Sequence, residues 1–298
     1  MTDRQPLFIL CPGRSFSSVV CTTIGQHPEL YGLPEIYLGI VDTVDEWLRL
    51  PSQPGRKHMN QGLLRVLAEL QHGEQTEDTV REVRAWLRQH RHWTTTRLFH
   101  DLAERVAPRQ LVDKSPTQGK PENLRRLLKM FPQAFFLHLT RHPRSTGNSF
   151  YRAKSARALL QGHPDLNRLA NLIEDHWIMI HANILGFTAS LPPGQAMRLL
   201  GEDFLAEPAL YLRQIAEWLN LRTDDDAIEA MQHPETSPYA RFGPVNARHG
   251  NNRGFLEEPF LKAGRPSPAS LAGPLEWLPQ PRGFGPKMLR LARQVGYQ

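Results

Sequence analysis

Apolar positions in this chain fall into two kinds of run. Short, nearly unbroken runs stand at Leu7–Cys11, Gln110–Val112, Ala134–Thr140 and Ala196–Leu200, the pattern of strands buried on both faces. Longer stretches with apolar residues three and four apart predict helices over Ser17–His27, Asn60–Gln71, Thr79–His90, Glu122–Met130, Leu166–Phe187 and Pro208–Leu219. Apolar strands spaced by helices predict a parallel β-sheet covered on both faces, an α/β architecture rich in helix. The last ~40 residues carry little strand signal and are expected to wrap the surface. Pro51–Gly55 and Gly264–Pro268 read as loops too short to link domains. One domain over residues 1–298 is expected.

Composition narrows the classes. Hydrophobic residues at 40% and charged residues at 22% exclude wholesale disorder. No run approaches the ~20 apolar residues of a membrane span, and Leu7–Cys11 is too short for a signal-peptide core. Two cysteines, Cys11 and Cys21, cannot form a disulfide framework or a four-ligand zinc site. A reduced, cytoplasmic setting is expected. Net charge is 36 − 30 = +6, which admits nucleic acid, an acidic membrane surface or a small polyanion as partner. Arg81, Arg84, Arg88 and Arg91 have helical spacing and read as a solvent-facing stripe. His138 and His142 are separated by a strand end and no HExxH pattern occurs, so no metal site is expected.

Two segments carry candidate chemistry. The first strand runs into Cys11-Pro12-Gly13-Arg14-Ser15-Phe16-Ser17-Ser18 and then directly into an apolar helix. A strand, a tight turn and a helix N-terminus present backbone N–H groups and a helix dipole to an anion. Ser17 and Ser18 are placed to cap that helix. The frame GxxxxGK(S/T) is absent, which argues against a magnesium–nucleotide triphosphatase. After the strand Ala134–Thr140 comes Arg141-His142-Pro143-Arg144, with Ser149 one to two helical turns further on. Ligands of parallel α/β sheets bind outside the carboxyl ends of strands. An Arg and a Ser converging there suit a phosphate monoester. The sequence thus offers two anion sites on one edge of one sheet.

Arg14-Ser15-x-Ser17-Ser18 after the first strand, followed by Arg141-x-Pro143 with Ser149 eight residues after that Arg, resembles the sulfotransferases that use 3′-phosphoadenosine-5′-phosphosulfate (PAPS). Val112-Asp113-Lys114-Ser115-Pro116 and Leu33-Pro34-Glu35 are similar to the DKSP and L-P-E segments of bacterial members, including sulfotransferase domains of polyketide assembly lines. Gly243–Asn251 and Phe255-Leu256 resemble their closing loop. The resemblance runs from residue 7 to about residue 256. It implies a P-loop-NTPase-like fold, PAPS as cofactor, and 3′-phosphoadenosine-5′-phosphate (PAP) as product. The acceptor it implies is a hydroxyl of a small metabolite or carrier-bound chain. Two alternatives stay open: a nucleotide- or nucleic-acid-binding protein with a degenerate loop, and a small-molecule kinase.

The resemblance also implies roles. Arg14 takes the catalytic Lys/Arg position, Lys114 holds the sulfuryl oxygens, and Glu35 is the base. His100 and His176 are alternative bases. Cofactor contacts fall to Arg14, Ser15, Phe16, Ser17, Ser18, Arg141 and Ser149, with Arg248, Asn251 or Arg253 reaching the 3′-phosphate. Phe16 stands where the family has Gly, and Val19 where many members place a stacking Trp. The acceptor pocket is expected between Glu35 and about Leu102, where Tyr37, Trp47, Trp86, Trp93 and Phe99 either line it or pack helices.

Overall fold

The computed structural model describes residues 5–152, 166–262, 264, 270–275, 278 and 282–298. Among them five strands form one sheet: β1 (Leu7–Leu10), β2 (Leu30–Gly32), β3 (Gln110–Asp113), β4 (Phe135–Thr140) and β5 (Ala196–Leu200). Their order is β2-β3-β1-β4-β5, and every pairing is parallel. The central strand shows why the apolar runs read as they do. Its side chains alternate between faces: Phe8 and Leu10 join one apolar cluster with Trp47, Phe99 and Phe136, while Leu7 and Ile9 join another with Val20, Phe204 and Ile215. A core on each side of the sheet requires unbroken apolar strands.

The predicted helices are present with shifted ends. They are α1 (Ser17–Ile24), α3 (Gln61–His72), α4 (Glu77–Gln89), α6 (Pro121–Met130), α8 (Leu166–Thr188) and α10 (Pro208–Trp218). Between them stand α2 (Val44–Arg49), α5 (Thr95–Val106), α7 (Pro143–Arg152) and α9 (Gly201–Ala206), and α11 (Asp225–Met231), α12 (Arg253–Glu257) and α13 (Pro286–Gln294) follow. α5 was within reach of the pattern, because Thr94 caps Arg97 N and Leu98, Phe99, Leu102 and Val106 share its buried face. β2 was not, since three residues display no period. The loop expected at 264–268 lies, except for Gly264, outside the described residues. Of the expected arginine stripe, Arg81 and Arg88 on α4 and Arg91 just past its end are exposed, but Arg84 is half-buried and donates to the Asn246 carbonyl (3.4 Å).

The C-terminal stretch does more than wrap. Leu271, Leu275, Phe284 and Met288 bury against Trp177 of α8 in a cluster of their own. Buried Arg144, on α7, donates to the carbonyls of Ser270 (2.9 Å), Ala272 (2.7 Å), Gly273 (3.2 Å) and Pro274 (2.5 Å). A planar guanidinium with five donors is the side chain that can satisfy such a turn of carbonyls. The Tyr297 hydroxyl donates to Glu202 Oε2 (2.9 Å) and lies 2.9 Å from Thr140 Oγ1, while Glu202 Oε1 accepts from His142 N (2.9 Å). The end of the chain is therefore packed directly behind the turn that carries Arg141.

Candidate active site

The loop after β1 turns sharply and leaves polar groups without partners. Arg14 and Phe16 both take left-handed backbone angles, with φ of 69° and 63°. Phe16 precedes the first residue of α1 and provides no side-chain cap, so the first-turn amides are left for an outside acceptor. Ser15 Oγ is fully buried and has no hydrogen-bond partner. The expectation that Ser18 caps α1 is corrected: its hydroxyl accepts from Lys114 Nζ (3.0 Å) and from Asn252 N (2.9 Å). Ser17, likewise, makes no capping bond.

Lys114, at the end of β3, is fully buried and also donates to Glu35 Oε1 (3.0 Å). Glu35 Oε2 accepts from the Tyr37 hydroxyl (2.7 Å). Burial and the adjacent Glu35 carboxylate hold the Tyr37 phenol well above its ordinary range. Asp113 is pushed up to about 6 by burial, although Gln118, Ser115 and the Lys114 amide all hydrogen-bond to it. Ser115 Oγ in turn accepts from Tyr37 N (3.0 Å). The backbone of Glu35 is fixed as well. Its N–H donates to the Gly250 carbonyl (2.6 Å), and Gly62 at the start of α3 lies so close that a Cβ there would be driven into the Glu35 carbonyl.

Arg141 leaves the end of β4 and donates from Nη1 to the Arg14 carbonyl (2.8 Å). Its guanidinium carbon lies 4.1 Å from the centroid of the Phe16 ring. Arg14 Nε donates to Ser149 Oγ on α7 (3.0 Å). Burial, with Arg14 acting in the same direction, lowers Arg141 to about 10; burial also lowers Arg14. Arg141 Nε is buried without a partner. Two neighbouring cations, one of them with an unspent buried donor, are a poor arrangement unless an anion completes it.

These groups meet in a cavity of about 530 Å³, within the range of small-molecule sites. Its wall includes Arg14 to Val19, Glu35, Tyr37, His58, Met59, Arg141, Ser149 and Asn251 to Arg253. A model described as the sulfotransferase family matches residues 6–225. The chain belongs to the sulfotransferase family. Two solved structures resemble it along their length. The sulfotransferase domain from the curacin biosynthetic pathway is 24% identical, with a TM-score of 0.80, over 100% of this chain and 99% of that one. The sulfotransferase domain from the Synechococcus PCC 7002 olefin synthase is 23% identical, with a TM-score of 0.75, over 100% and 98%. At these identities the likeness concerns the fold, which is P-loop-NTPase-like. No curated protein sequence matches.

In this family member the cavity gathers eight of the residues expected from sequence: Arg14, Ser15, Phe16, Ser17, Ser18, Glu35, Arg141 and Ser149. Lys114 lies beneath it, bonded to Glu35 and Ser18. Arg248 is placed elsewhere. It is exposed with its guanidinium over Phe242 (5.0 Å), and Asn251, Asn252 and Arg253 of the same segment line the wall instead. His100 is exposed against Phe131 (4.6 Å), and His176 is half-buried beside Phe150 (6.0 Å); neither lines the cavity. His58 and His249 do line it. His58 sits in a loop without a motif, whereas His249 lies inside the segment already recognised as a closing loop. Burial and the nearby Arg248 and Arg253 lower His249. Of the five aromatic residues considered for the acceptor pocket, Tyr37 alone is in the wall; Trp47 and Phe99 are core. Among the described residues no helix is long and apolar enough to cross a membrane, and no cluster of side chains could hold a metal ion.

Proposed function

We propose that this protein transfers a sulfuryl group from PAPS to a hydroxyl of a small metabolite or carrier-bound acceptor. The observation that carries the reading is one cavity with Arg14 and Arg141 on its wall, an unspent donor on Arg141 and a lysine-held carboxylate at Glu35. The residues fit the donor, because Ser15 Oγ, Arg141 Nε and the uncapped amides of α1 all lack an acceptor that phosphate oxygens would provide. When bound, PAPS supplies an activated sulfuryl group on a phosphate leaving group.

The chain's own part is positioning and charge, as in phosphoryl transfer. Arg14 neutralises charge that develops on the departing phosphate. Lys114 and Tyr37 fix both oxygens of the Glu35 carboxylate. Glu35 accepts the acceptor's proton from within hydrogen-bond reach. Arg141 and Ser149 hold the nucleotide by its 3′-phosphate.

A thermal-shift titration with PAP against ADP and Mg-ATP, at fixed ionic strength, tests the donor. PAP at 100 times its dissociation constant stabilises the fold by ~2.7 kcal/mol. A shift with PAP alone is the expected result and justifies assaying hydroxyl acceptors with PAPS. A larger shift with Mg-ATP would overturn the proposal in favour of a kinase.

A further inference from the structure

We infer that Phe16 is a positioning residue for Arg141: its ring is the shelf on which the guanidinium lies, and Gly201 is the gap that admits the ring. The inference rests on the proposed PAPS reading and assigns a role to the residue that departs most from the family pattern. Phe16 stands in the left-handed region, φ 63° and ψ 5°, which glycine enters freely and a phenylalanine does not. A strained residue held at a binding loop calls for a return elsewhere, and three contacts supply it.

The ring is half-buried against the apolar cluster that contains Val20, Leu139 and Phe204. Its face lies 4.1 Å from the guanidinium carbon of Arg141, a geometry in which a cation is drawn to the π cloud. Gly201, the first residue of α9, makes room: a Cβ there would lie 2.5 Å from Phe16 Cδ2. Arg141 is otherwise tethered by its bond to the Arg14 carbonyl, and the Glu202 carboxylate attracts it from the sheet side. Stacking one face on the ring fixes the plane of the guanidinium at the cavity wall, where its edge can meet an anion.

The test is calorimetric binding of PAP and of adenosine 5′-phosphate, which lacks the 3′-phosphate, to the wild type and to Phe16→Gly, Phe16→Leu, Phe16→Tyr and Gly201→Ala. The wild type is expected to prefer PAP. Phe16→Gly, Phe16→Leu and Gly201→Ala should lose about tenfold in PAP affinity with little change for adenosine 5′-phosphate, and Phe16→Tyr should retain it. In turnover, the KM for PAPS should rise by a similar factor while kcat stays within about twofold. Phe16→Gly trades lost packing against relieved backbone strain, so a cooperative melt above the assay temperature together with retained adenosine 5′-phosphate binding separates its loss of PAP affinity from unfolding. A wild type without preference for PAP would remove Arg141 as a 3′-phosphate ligand and overturn the proposed function as well. A wild type that prefers PAP, with Phe16→Gly binding it equally or more tightly, would sink the inference alone.

Discussion

The cavity has two polar corners, and they are held in opposite ways. At the Lys114–Glu35 corner the polar groups spend their bonds on one another: Lys114 on Glu35 and Ser18, Tyr37 on Glu35, Ser115 on Tyr37 and Asp113. At the Arg141 corner donors are left spare, and rigidity comes from behind, through Arg144 on the carbonyls of residues 270 and 272–274 and through Tyr297 on Glu202. Those braces come from beyond residue 225, where the family match ends. A corner saturated with its own hydrogen bonds is pre-set for a proton transfer, whereas one with unspent donors is pre-set for a charged ligand. Damage to the first should therefore appear in turnover, and damage to the second in binding.

Glu35→Gln is the sharpest break and should lower turnover by ~100-fold or more while PAP affinity stays nearly constant. Full activity in that variant would move the base to His58 or His249, the histidines on the wall. Arg141→Ala should weaken PAP binding by about 2–3 kcal/mol; unchanged binding would remove the anion corner from the comparison. Acid distinguishes the corners by sign. Behind Arg141, His138 and His181 share a buried hydrogen bond (2.8 Å), and Trp177 packs on His181 and donates to the Arg141 carbonyl. Burial lowers both histidines, His138 to about 3. A depressed folded-state pKa gives stability that is complete above the unfolded value of ~6.5 and is lost as pH falls toward about 3.

Asp113, at the other corner, runs the opposite way. Its folded pKa of about 6 lies above the unfolded value, so its contribution is present in acid and lost as pH rises through 6. Each group contributes a slope of up to ~1.4 kcal/mol per pH unit inside its window. Urea unfolding at pH 7 and pH 5 should show net loss in acid, a smaller loss in His138→Gln and a larger one in Asp113→Asn. Equal pH profiles for all three proteins would end the assignment. Tyr297→Phe has the smallest expected effect: about 1 kcal/mol of stability from the lost bond to Glu202, with a slight weakening of PAP binding. A variant indistinguishable from wild type in both would show that the chain end does not brace Arg141.

The three interior strands were legible because burial on both faces writes an unbroken apolar run, and the edge strand β5 was legible from its apolar residues although only Leu199 in it is buried. β2 was not, because three residues carry no period and its place is set by pairing with β3. That Arg14 to Ser18, Arg141 and Ser149 gather at one cavity was legible because each group sits in a short local motif. Ser18 was misread as a cap because the lysine that binds it lies 96 residues away. Arg248 lies in a recognisable loop, but sequence does not say where its side chain goes; the structure lays Arg248 on Phe242 and leaves Arg253, paired with Glu257, exposed at the cavity's edge. The carbonyl cage around Arg144 and the Tyr297–Glu202 bond left no trace, since backbone acceptors have no residue preference and the partners are about 95–130 positions apart.

The glycine beside Glu35 bears on redesign. His58 and Met59 line the cavity, and a saturation library at those positions would test the proposed acceptor side without touching the bonds that hold Glu35. Gly62 lies next to them in space, yet any side chain there meets the Glu35 carbonyl and presses on the strand of chain that Gly250 holds from the other side. A screen would score position 62 as an acceptor-contacting residue because every replacement inactivates the enzyme. Binding measured with PAP, unchanged in those same clones, would show instead that Glu35, the proposed base, had been pushed out of line.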